Sequence, residues 1–262
     1  MAGGSPAPAW VRWPRLPAPI RGLLGVLRSV RVYHSPQRRG PLDRMHARFA
    51  GPGDLVFDIG AHVGDRVASF RRLGMRVVAV EPQPQPARLL RLLYGRDRQV
   101  SIVQAAVGAA PGSVDMHLNL DNPTVSTASA DFIEAAADDQ AWQNQRWEQR
   151  VRVPVTTLDA LVERFGSPRF VKIDVEGYED QVLKGLSHPP PAFSFEFTTI
   201  QRTVARAALA ECRRLGVRRF NAALGESQRL LHASWADVDG IRAWLDALPA
   251  SANSGDIYAL RA

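Results

Sequence analysis

The sequence predicts an α/β fold of the Rossmann-like type, with a mostly parallel seven-stranded sheet and helices on both faces. From residue 54 onward, short apolar runs of strand length alternate with segments of helical periodicity. A glycine-bearing loop directly follows the first apolar run, and acidic residues follow several of the others. Because ligands of open α/β sheets bind beyond the carboxyl ends of the strands, these three observations together predict a ligand-binding sheet.

The individual elements follow from hydrophobic periodicity and from glycine or proline breaks. Strands are predicted, in chain order, at residues 55–59, 76–80, 100–107, 114–118, 170–175, 192–197, 217–223 and 256–260. Helices are predicted at residues 20–33, 41–50, 63–73, 87–94, 157–165, 178–186 and 204–215. The alternating run at 114–118 lies outside the main rhythm and is expected to form an additional strand.

The chain divides into a basic, proline- and arginine-rich arm at residues 1–40 and a main domain at residues 41–262. Residues 119–150 interrupt the alternation of strands and helices, and we interpret them as an insertion over the carboxyl edge of the sheet and a candidate substrate lid. Trp142 and Trp147 are expected to pin this insertion to the domain. The alternative is that they line a substrate pocket.

The positive charge is concentrated near the amino terminus. The chain has a net charge of +7, whereas residues 1–50 alone carry nine arginines and one acid, Asp43, which leaves a body close to neutral. Because nucleic-acid enzymes place basic charge around their binding cleft, no specific nucleic-acid partner is expected. The arm is a candidate for peripheral contact with an anionic membrane, with a solvated leader as the alternative. The core begins near Leu55, so removal of residues 1–35 is expected to leave ligand binding intact.

Cysteine content and hydropathy favour a cytoplasmic protein. Cys212 is the single cysteine of the chain, so an intramolecular disulfide is excluded and a reducing compartment is suitable. The apolar run at residues 20–32 is interrupted by Arg21, Arg28 and Arg31, so it does not resemble a membrane span or a secretory signal.

The loop after the first predicted strand has the sequence Asp58-Ile59-Gly60-Ala61-His62-Val63-Gly64. Gly60 permits a tight turn, and Gly64 allows the following helix to pack closely. The amino end of that helix offers N–H donors to a polar ligand. Glu81, seventeen residues beyond Gly64 at the end of the second strand, is placed to accept hydrogen bonds from ribose hydroxyls. Together these features favour a nucleoside cofactor.

NAD is the main alternative among nucleoside cofactors. Its fingerprint is G-x-G-x-x-G, and the loop here lacks that glycine triplet. His62 occupies the middle position, where a pyrophosphate would need its closest approach to the backbone. The loop therefore favours a cofactor without a diphosphate, and S-adenosylmethionine fits this requirement.

A second group of charged residues follows the strand at 170–175, in the segment Lys172-Ile173-Asp174-Val175-Glu176-Gly177-Tyr178-Glu179. Period-two alternation directs Lys172 and Asp174 to one side, and Glu176 as well if the strand continues to it. Charged groups at the end of a buried strand are costly unless they are paired or act on a ligand. We interpret the acids as catalytic, and the alternative is a structural ion pair with Lys172.

Several segments occur in the order DLVFDIGAHVG, VVAVEP, VQAAVG, VTTLDAL, VKIDVEGYEDQVLKG and SFEF. In this order they resemble the FkbM methyltransferase family, which is class I, S-adenosylmethionine-dependent and typically O-methylating. The resemblance spans roughly residues 51–200, with a weaker match at GDIYAL, and IDVEGYE is its most distinctive motif. His62 departs from the family, in which asparagine is common at this position.

The resemblance implies a class I methyltransferase fold with S-adenosylmethionine as the cofactor. The residues expected to bind the cofactor are Asp58, Gly60, Ala61, His62, Gly64, Glu81 and Ala105. The candidate catalytic base is Asp174 or Glu176, with Glu196 and His62 as alternatives. Asp174, Glu176 and Glu196 carry the oxygen ligands that divalent metals use, but no ligand spacing requires a metal and none is predicted.

The expected function is methylation of a hydroxyl on a sugar, a glycan or a natural-product small molecule. One alternative is methylation of RNA or protein, which the near-neutral body and the lack of an RNA-binding module or an Asn-Pro-Pro-Tyr-type motif disfavour. The other is a cofactor-binding protein without turnover. Methyl transfer to a panel of acceptors separates this last alternative from the two enzymatic functions.

Overall fold

The structure is a computed structural model that describes residues 16–140 and 142–261. Its strands are β1 (Leu55–Ile59), β2 (Arg76–Val80), β3 (Val100–Val103), β4 (Ala106–Val107), β5 (Gly112–Leu118), β6 (Gln149–Thr156), β7 (Phe170–Ile173), β8 (Ala192–Thr198), β9 (Arg219–Leu224) and β10 (Ser254–Leu260). Its α-helices are α1 (Ala18–Tyr33), α2 (Pro36–His46), α3 (Asp65–Arg72), α4 (Pro84–Tyr94), α5 (Ala130–Ala137), α6 (Leu158–Phe165), α7 (Glu179–Lys184), α8 (Arg202–Arg214) and α9 (Val238–Ala247). Short 3-10 helices lie at Pro123–Val125, Thr199–Gln201 and Ala250–Ala252.

The main sheet has seven strands in the order β3-β2-β1-β7-β8-β10-β9. The first five are parallel, and β10 is antiparallel to both of its neighbours. This arrangement confirms the predicted Rossmann-like, mostly parallel seven-stranded sheet. Because β1, β2, β7 and β8 run in the same direction, the loops that follow them meet at one edge of the sheet.

Helices cover both faces of this sheet. Phe57 and Ile59 of β1 belong to the core on the side of α6, α7, α8 and α9. Val56 of the same strand belongs to the core on the side of α2, α3 and α4. All five residues of β1 are buried, as expected for a central parallel strand, so its carboxyl end is held rigidly between two packed layers.

The predicted strand at 100–107 is two strands in the structure. β3 ends at Val103, and after Gln104 and Ala105 the chain leaves the main sheet. Ala106 and Val107 then pair with β6 in a separate three-stranded sheet of order β4-β6-β5. Gln104 at this break is the one polar residue between the two strands, and a single polar residue did not indicate a change of partner.

Two elements were not predicted. β6 alternates, but it contains arginines and Pro154 and its side chains are mostly exposed or half-buried, so its hydrophobic signal is weak. α9 contains Gly240, which has low helix propensity. The Asp237 side chain caps this helix by accepting a hydrogen bond from the Gly240 N–H at 2.8 Å.

The amino-terminal helices differ from the predicted boundaries. Residues 1–15 of the predicted leader lie outside the described residues, and α1 begins at Ala18. The predicted helix at 41–50 is instead α2, which begins at Pro36 and contains Pro41. The proposed boundary between arm and domain at residue 40 therefore falls inside a helix.

α1 packs against the segment between β5 and α5. Gly25 approaches this segment so closely that an added Cβ would overlap the carbonyl oxygen of Leu120. Arg21 donates to both carboxylate oxygens of Asp121, at 3.0 and 2.7 Å, and to Glu148 at 2.6 Å. Only 11% of the Arg21 side chain and 9% of the Asp121 side chain are exposed. Within residues 16–140 and 142–261, no helix is long and apolar enough to cross a membrane.

Replacement of Arg21 by methionine is predicted to lower the free energy of unfolding by about 2 kcal/mol, because the nearly buried Asp121 carboxylate loses its charge-assisted partner. Arg31→Met on the exposed side of the same helix is the matched control and should change stability by less than about 0.5 kcal/mol. Urea denaturation of both variants measures the difference. Equal stabilities would mean that the ion pair does not hold α1 to the domain.

Candidate active site

The loop after β1 is wedged between the ends of β2 and β7. The N–H groups of Gly60 and Ala61 both donate to the Val80 carbonyl oxygen, at 2.9 and 3.0 Å. Gly60 has a φ of 84°, and an added Cβ would overlap the carbonyl oxygen of Asp174. Glycine is therefore required twice, for the backbone conformation and for the approach of two chain segments.

Gly64 has the packing role that the sequence predicted for it. Its φ is 79°, and an added Cβ would lie 2.7 Å from the Leu90 side chain and 2.9 Å from the Tyr94 ring, both on α4. The Tyr94 hydroxyl donates to the Gly64 carbonyl oxygen at 3.0 Å. These contacts fix the start of α3 against α4. They thereby also fix the backbone N–H groups at the amino end of α3.

Glu81 is 1% exposed and lies directly after β2. Its carboxylate accepts hydrogen bonds from the N–H groups of His62 and Gln83, both at 2.8 Å. Burial raises the pKa of Glu81 to about 7. This acid therefore ties the loop after β1 to the loop after β2, and its remaining lone pairs are the acceptors available to a ligand.

Asp58 is fully buried near the end of β1. Neither of its carboxylate oxygens has a hydrogen-bond partner among the described residues. Burial raises the pKa of Asp58 to about 7. A buried acid without a partner is costly, so the site suits a ligand that supplies hydrogen-bond donors or positive charge at this point.

His62 lies against the end of α1. Its φ is 45°, its ring is edge-on to Tyr33 with the ring centres 5.7 Å apart, and burial lowers its pKa to about 4. His34 Nε2 lies 2.9 Å from the Val63 carbonyl oxygen, to which it donates. The expectation that residues 1–35 are dispensable for ligand binding does not account for these contacts, because removing them would expose one side of the loop.

Ala61 and Ala105 complete the set of residues predicted to bind the cofactor. Ala61 is 2% exposed in the loop after β1, and Ala105 is 6% exposed in the break between β3 and β4. Both have side chains too small to fill the space beyond the strand ends. Small residues therefore follow β1 and β3, on the two sides of Glu81, which follows the intervening strand β2.

The predicted catalytic acids meet at the same edge. Ligand atoms of Asp174, Glu176 and Glu196 all lie within 4.8 Å of one another. Glu176 is 7% exposed and has a φ of 56°, and its carbonyl oxygen accepts a hydrogen bond from Thr127 Oγ1 at 2.6 Å. The prediction that Asp174 and Glu176 lie on one side is thereby confirmed, and Glu196 joins them from the adjacent strand β8.

Two cations hold Asp174 in its ionised form. Lys172 Nζ lies 3.2 Å from Asp174 and 2.7 Å from Asp256, and Arg66 lies 3.2 Å from Asp174 on the other side. Burial alone would raise the pKa of Asp174, but the positive charges of Lys172 and Arg66 lower it to about 2. The sequence analysis missed Arg66 and Asp256. In the sequence, Arg66 could have been noticed as an arginine two residues after Gly64, and Asp256 as an acid inside the apolar run of β10.

Glu176 and Glu196 behave in the opposite way. Burial and then the negative charge of Asp174 raise the pKa of both well above its usual value. Glu196 Oε2 has no hydrogen-bond partner among the described residues. The three acids therefore combine one fixed negative charge with two groups that bind a proton more strongly than an ordinary carboxylate does. The same oxygens have the spacing of a divalent-cation site, but Lys172 and Arg66 already supply positive charge to Asp174.

A groove of about 540 Å³ lies on the insertion, lined by residues of α5, by the segment before β6 and by His117. Trp142 and Trp147 line it, and both rings are edge-on to Phe132 at 5.4 and 6.3 Å. Trp147 Nε1 donates to the Val125 carbonyl oxygen at 2.7 Å. Both tryptophans therefore pin the insertion and also border a cavity. Phe132 also lies close to the residue that follows Glu176, since a Cβ on Gly177 would lie 2.9 Å from the Phe132 ring.

The sheet order, the glycine loop after β1 and the acid after β2 together define a class I, Rossmann-like methyltransferase. The sequence profile of the methyltransferase FkbM domain matches residues 58–248. The chain belongs to this family, and it is an S-adenosylmethionine-dependent methyltransferase. A comparison with curated proteins finds no significant sequence match.

Solved structures with a similar fold include a TehB-like S-adenosylmethionine-dependent methyltransferase from Corynebacterium glutamicum, with 9% identity and a TM-score of 0.47 over 90% of this chain and 98% of that one. An S-adenosylmethionine-dependent O-methyltransferase from Thermotoga maritima has 14% identity and a TM-score of 0.41, over 86% of this chain and 65% of that one. Aeropyrum pernix fibrillarin has 10% identity and a TM-score of 0.43, over 80% and 67%. Similarity at this level indicates nothing about the acceptor of this chain.

Gly60→Ala is predicted to lower the free energy of unfolding by about 3 kcal/mol or more. About 1 kcal/mol comes from the left-handed backbone and the rest from overlap with the Asp174 carbonyl. Gly53→Ala is the matched control, because Gly53 has nearly the same φ, 83°, and open space around its Cβ position. Thermal or urea denaturation compares them. If the two variants lose equal stability, the close approach of the loop to β7 is not a constraint.

Proposed function

We propose that this protein transfers a methyl group from S-adenosylmethionine to a hydroxyl of a sugar, a glycan or a natural-product small molecule. The observation that carries the proposal is the acidic cluster of Asp174, Glu176 and Glu196, at the sheet edge that also holds the glycine loop. An alcohol is a weak nucleophile, so its methylation benefits from a base that removes its proton as the methyl group arrives. A buried carboxylate with a raised pKa suits this task.

The cofactor would be held by the loops after β1, β2 and β3. Bound S-adenosylmethionine supplies an activated methyl group on a sulfonium sulfur, which takes the electron pair when the methyl leaves. Asp58 has unpartnered buried oxygens and suits the amino acid end of such a cofactor, and Glu81 has lone pairs for ribose hydroxyls. Gly60, Ala61, His62, Gly64 and Ala105 would contribute backbone and small side-chain surface.

Glu176 is the preferred base among the candidates. Asp174 has a pKa of about 2 and contacts two cations, so it is a weak base and serves to fix the charge of the cluster. His62 has a pKa of about 4, and its ring faces Tyr33. Glu176 is buried, and the next residue, Gly177, approaches the Phe132 ring at the start of the insertion helix, whereas Glu196 is the alternative from β8.

The groove on the insertion suits a ring-shaped, hydroxylated acceptor. Two partly exposed tryptophans offer flat apolar surface, and the polar side chains around them offer hydrogen bonds to hydroxyls. The polar side chains of the groove include His117, Glu134, Gln143, Gln145, Arg146 and Arg150. Methylation of RNA or protein is the second candidate, and the near-neutral body disfavours RNA. The proposal places the enzyme in the cytoplasm, where its buried single thiol, Cys212, stays reduced.

Glu176→Gln is predicted to lower the single-turnover rate of methyl transfer about 100-fold or more, the usual size of a general-base effect, while cofactor affinity changes much less. Glu196→Gln is the matched comparison on β8 and should lose less. The measurement is methyl transfer from labelled cofactor to hydroxylated acceptors, beside a cofactor titration of each variant. Full activity of Glu176→Gln would move the role of the base to Glu196, and full activity of both variants would refute the cluster as the source of the base.

Cofactor affinity is predicted to fall about tenfold between pH 8 and pH 6 on account of Glu81. Its pKa is raised to about 7, so the protonated form predominates below pH 7, whereas ribose hydroxyls donate best to the ionised form. Glu81→Gln should bind the cofactor more weakly by roughly 1–3 kcal/mol and lose this part of the pH dependence. Calorimetric titrations of both proteins at several pH values compare the slopes. Parallel slopes would show that Glu81 does not contact the cofactor in its ionised form.

A further inference from the structure

Most of the exposed large apolar side chains belong to two neighbouring helices, α1 and α4, or lie just before α1. Within the described residues, seven such side chains are exposed, and six of them lie on or beside α1 and α4. They are Leu16, Ile20, Leu23 and Leu27 at α1, and Leu92 and Leu93 on α4. Scattered exposed leucines are ordinary, but a contiguous set indicates a binding surface.

The four side chains at α1 form a single stripe. Ile20, Leu23 and Leu27 are three or four residues apart and so lie on one face of α1, and Leu16 lies just before the helix begins. The opposite face is buried and contains Gly22, Gly25, Val26 and Ser29. The stripe therefore points to solvent because the other side of α1 is already used for packing. α1 and α4 are neighbours, since a Cβ on Gly22 would overlap the Gln85 side chain at the start of α4. We call the exposed sides of these two helices the α1–α4 face.

The α1–α4 face is basic. Neither helix contains an aspartate or a glutamate, and together they contain five arginines. The first acid of the whole chain is Asp43. Arg31 is exposed and lies four residues after Leu27, on the same face of α1. Arg88 on α4 is also exposed. Apolar side chains bordered by arginine and lacking acids match an anionic lipid surface, where leucine enters the headgroup boundary and arginine contacts phosphate.

We propose that the α1–α4 face binds the surface of an anionic membrane, with α1 lying parallel to the lipid plane. A second copy of the chain fits this face less well, because two such faces would bring arginines against arginines. The apolar stripe carries the contact together with the exposed arginines. Arg21 and Arg38 instead form ion pairs with Asp121 and Glu226 within the protein. This inference goes beyond the proposed methyl transfer and does not depend on it.

The test is co-sedimentation of the full chain with vesicles of phosphatidylcholine alone or mixed equally with phosphatidylglycerol. The double variant Leu23→Gln/Leu27→Gln removes half of the stripe, and Leu231→Gln changes an exposed leucine far along the chain, between β9 and α9. Arg31→Gln/Arg88→Gln removes two exposed charges. All the altered side chains are exposed, so thermal denaturation and cofactor titration should match the parent.

The parent is expected to bind mixed vesicles, and this binding should weaken as salt rises. The leucine double variant should lower the partition coefficient at least tenfold, the arginine double variant should lower it on mixed vesicles only, and Leu231→Gln should equal the parent. Failure of the parent to bind, or equal binding by the leucine double variant, would overturn the proposal. So would a parent dimer that the leucine double variant abolishes, since the face would then join two copies.

Discussion

The ion pairs around Asp174 are the interaction on which the rest of the site depends. Lys172 comes from β7 and Arg66 from the start of α3, and both contact the Asp174 carboxylate, while Asp256 of β10 pairs with Lys172. A buried carboxylate of this kind is stable only when its charge is balanced. Because Arg66 follows the glycine loop by two residues, the same contacts also fix the loop that would hold the cofactor against the acids that would act on the acceptor.

This charge balance explains why three neighbouring acids differ. Lys172 and Arg66 both stabilise the ionised form of Asp174. Burial, and then the negative charge of Asp174, raise the pKa values of Glu176 and Glu196. Environments that push the pKa values of neighbouring acids apart are how one site obtains both a fixed charge and a proton acceptor. The family establishes methyl transfer from S-adenosylmethionine, whereas the assignment of a base and of a hydroxylated acceptor is our proposal.

Much of the main sheet could be predicted from the sequence, because buried parallel strands give continuous apolar runs. β1 and β2 have the predicted boundaries. The small sheet could not be predicted in this way. The run at 100–107 is interrupted only by Ser101 and Gln104, and the pairing of Ala106 with Val155 shows that it changes sheets. β6 was missed because its half-exposed side chains carry little hydrophobic signal.

The sequence predicted those features of the site that depend on residues close together in the chain. Asp174 and Glu176 lie close together as expected, although both follow the end of β7 and Glu176 has a φ of 56°, and Gly60 and Gly64 have positive φ as the loop requires. Arg66 and Asp256 belong to elements far from β7 in the chain, so the contact of Arg66 with Asp174 and that of Asp256 with Lys172 depend on tertiary packing.

The roles within the cluster also depend on packing. Burial and neighbouring charge, which no sequence pattern reports, decide that Glu176 rather than Asp174 is suited to accept a proton. The contacts of Tyr33 and His34 with the loop likewise join α1 to the site, although the sequence of residues 1–40 suggested a separate arm.

The most direct test of this account is a carbon-13 NMR titration of the side-chain carboxyls in the parent and in Asp174→Asn. In the parent, the account predicts one carboxyl of the cluster with an apparent pKa near 2 and two that titrate well above 4.5. In Asp174→Asn, the lowest value should disappear and the two high values should fall, because a neighbouring negative charge has been removed. Three ordinary carboxyl titrations in the parent, or high values that do not respond to Asp174→Asn, would contradict it.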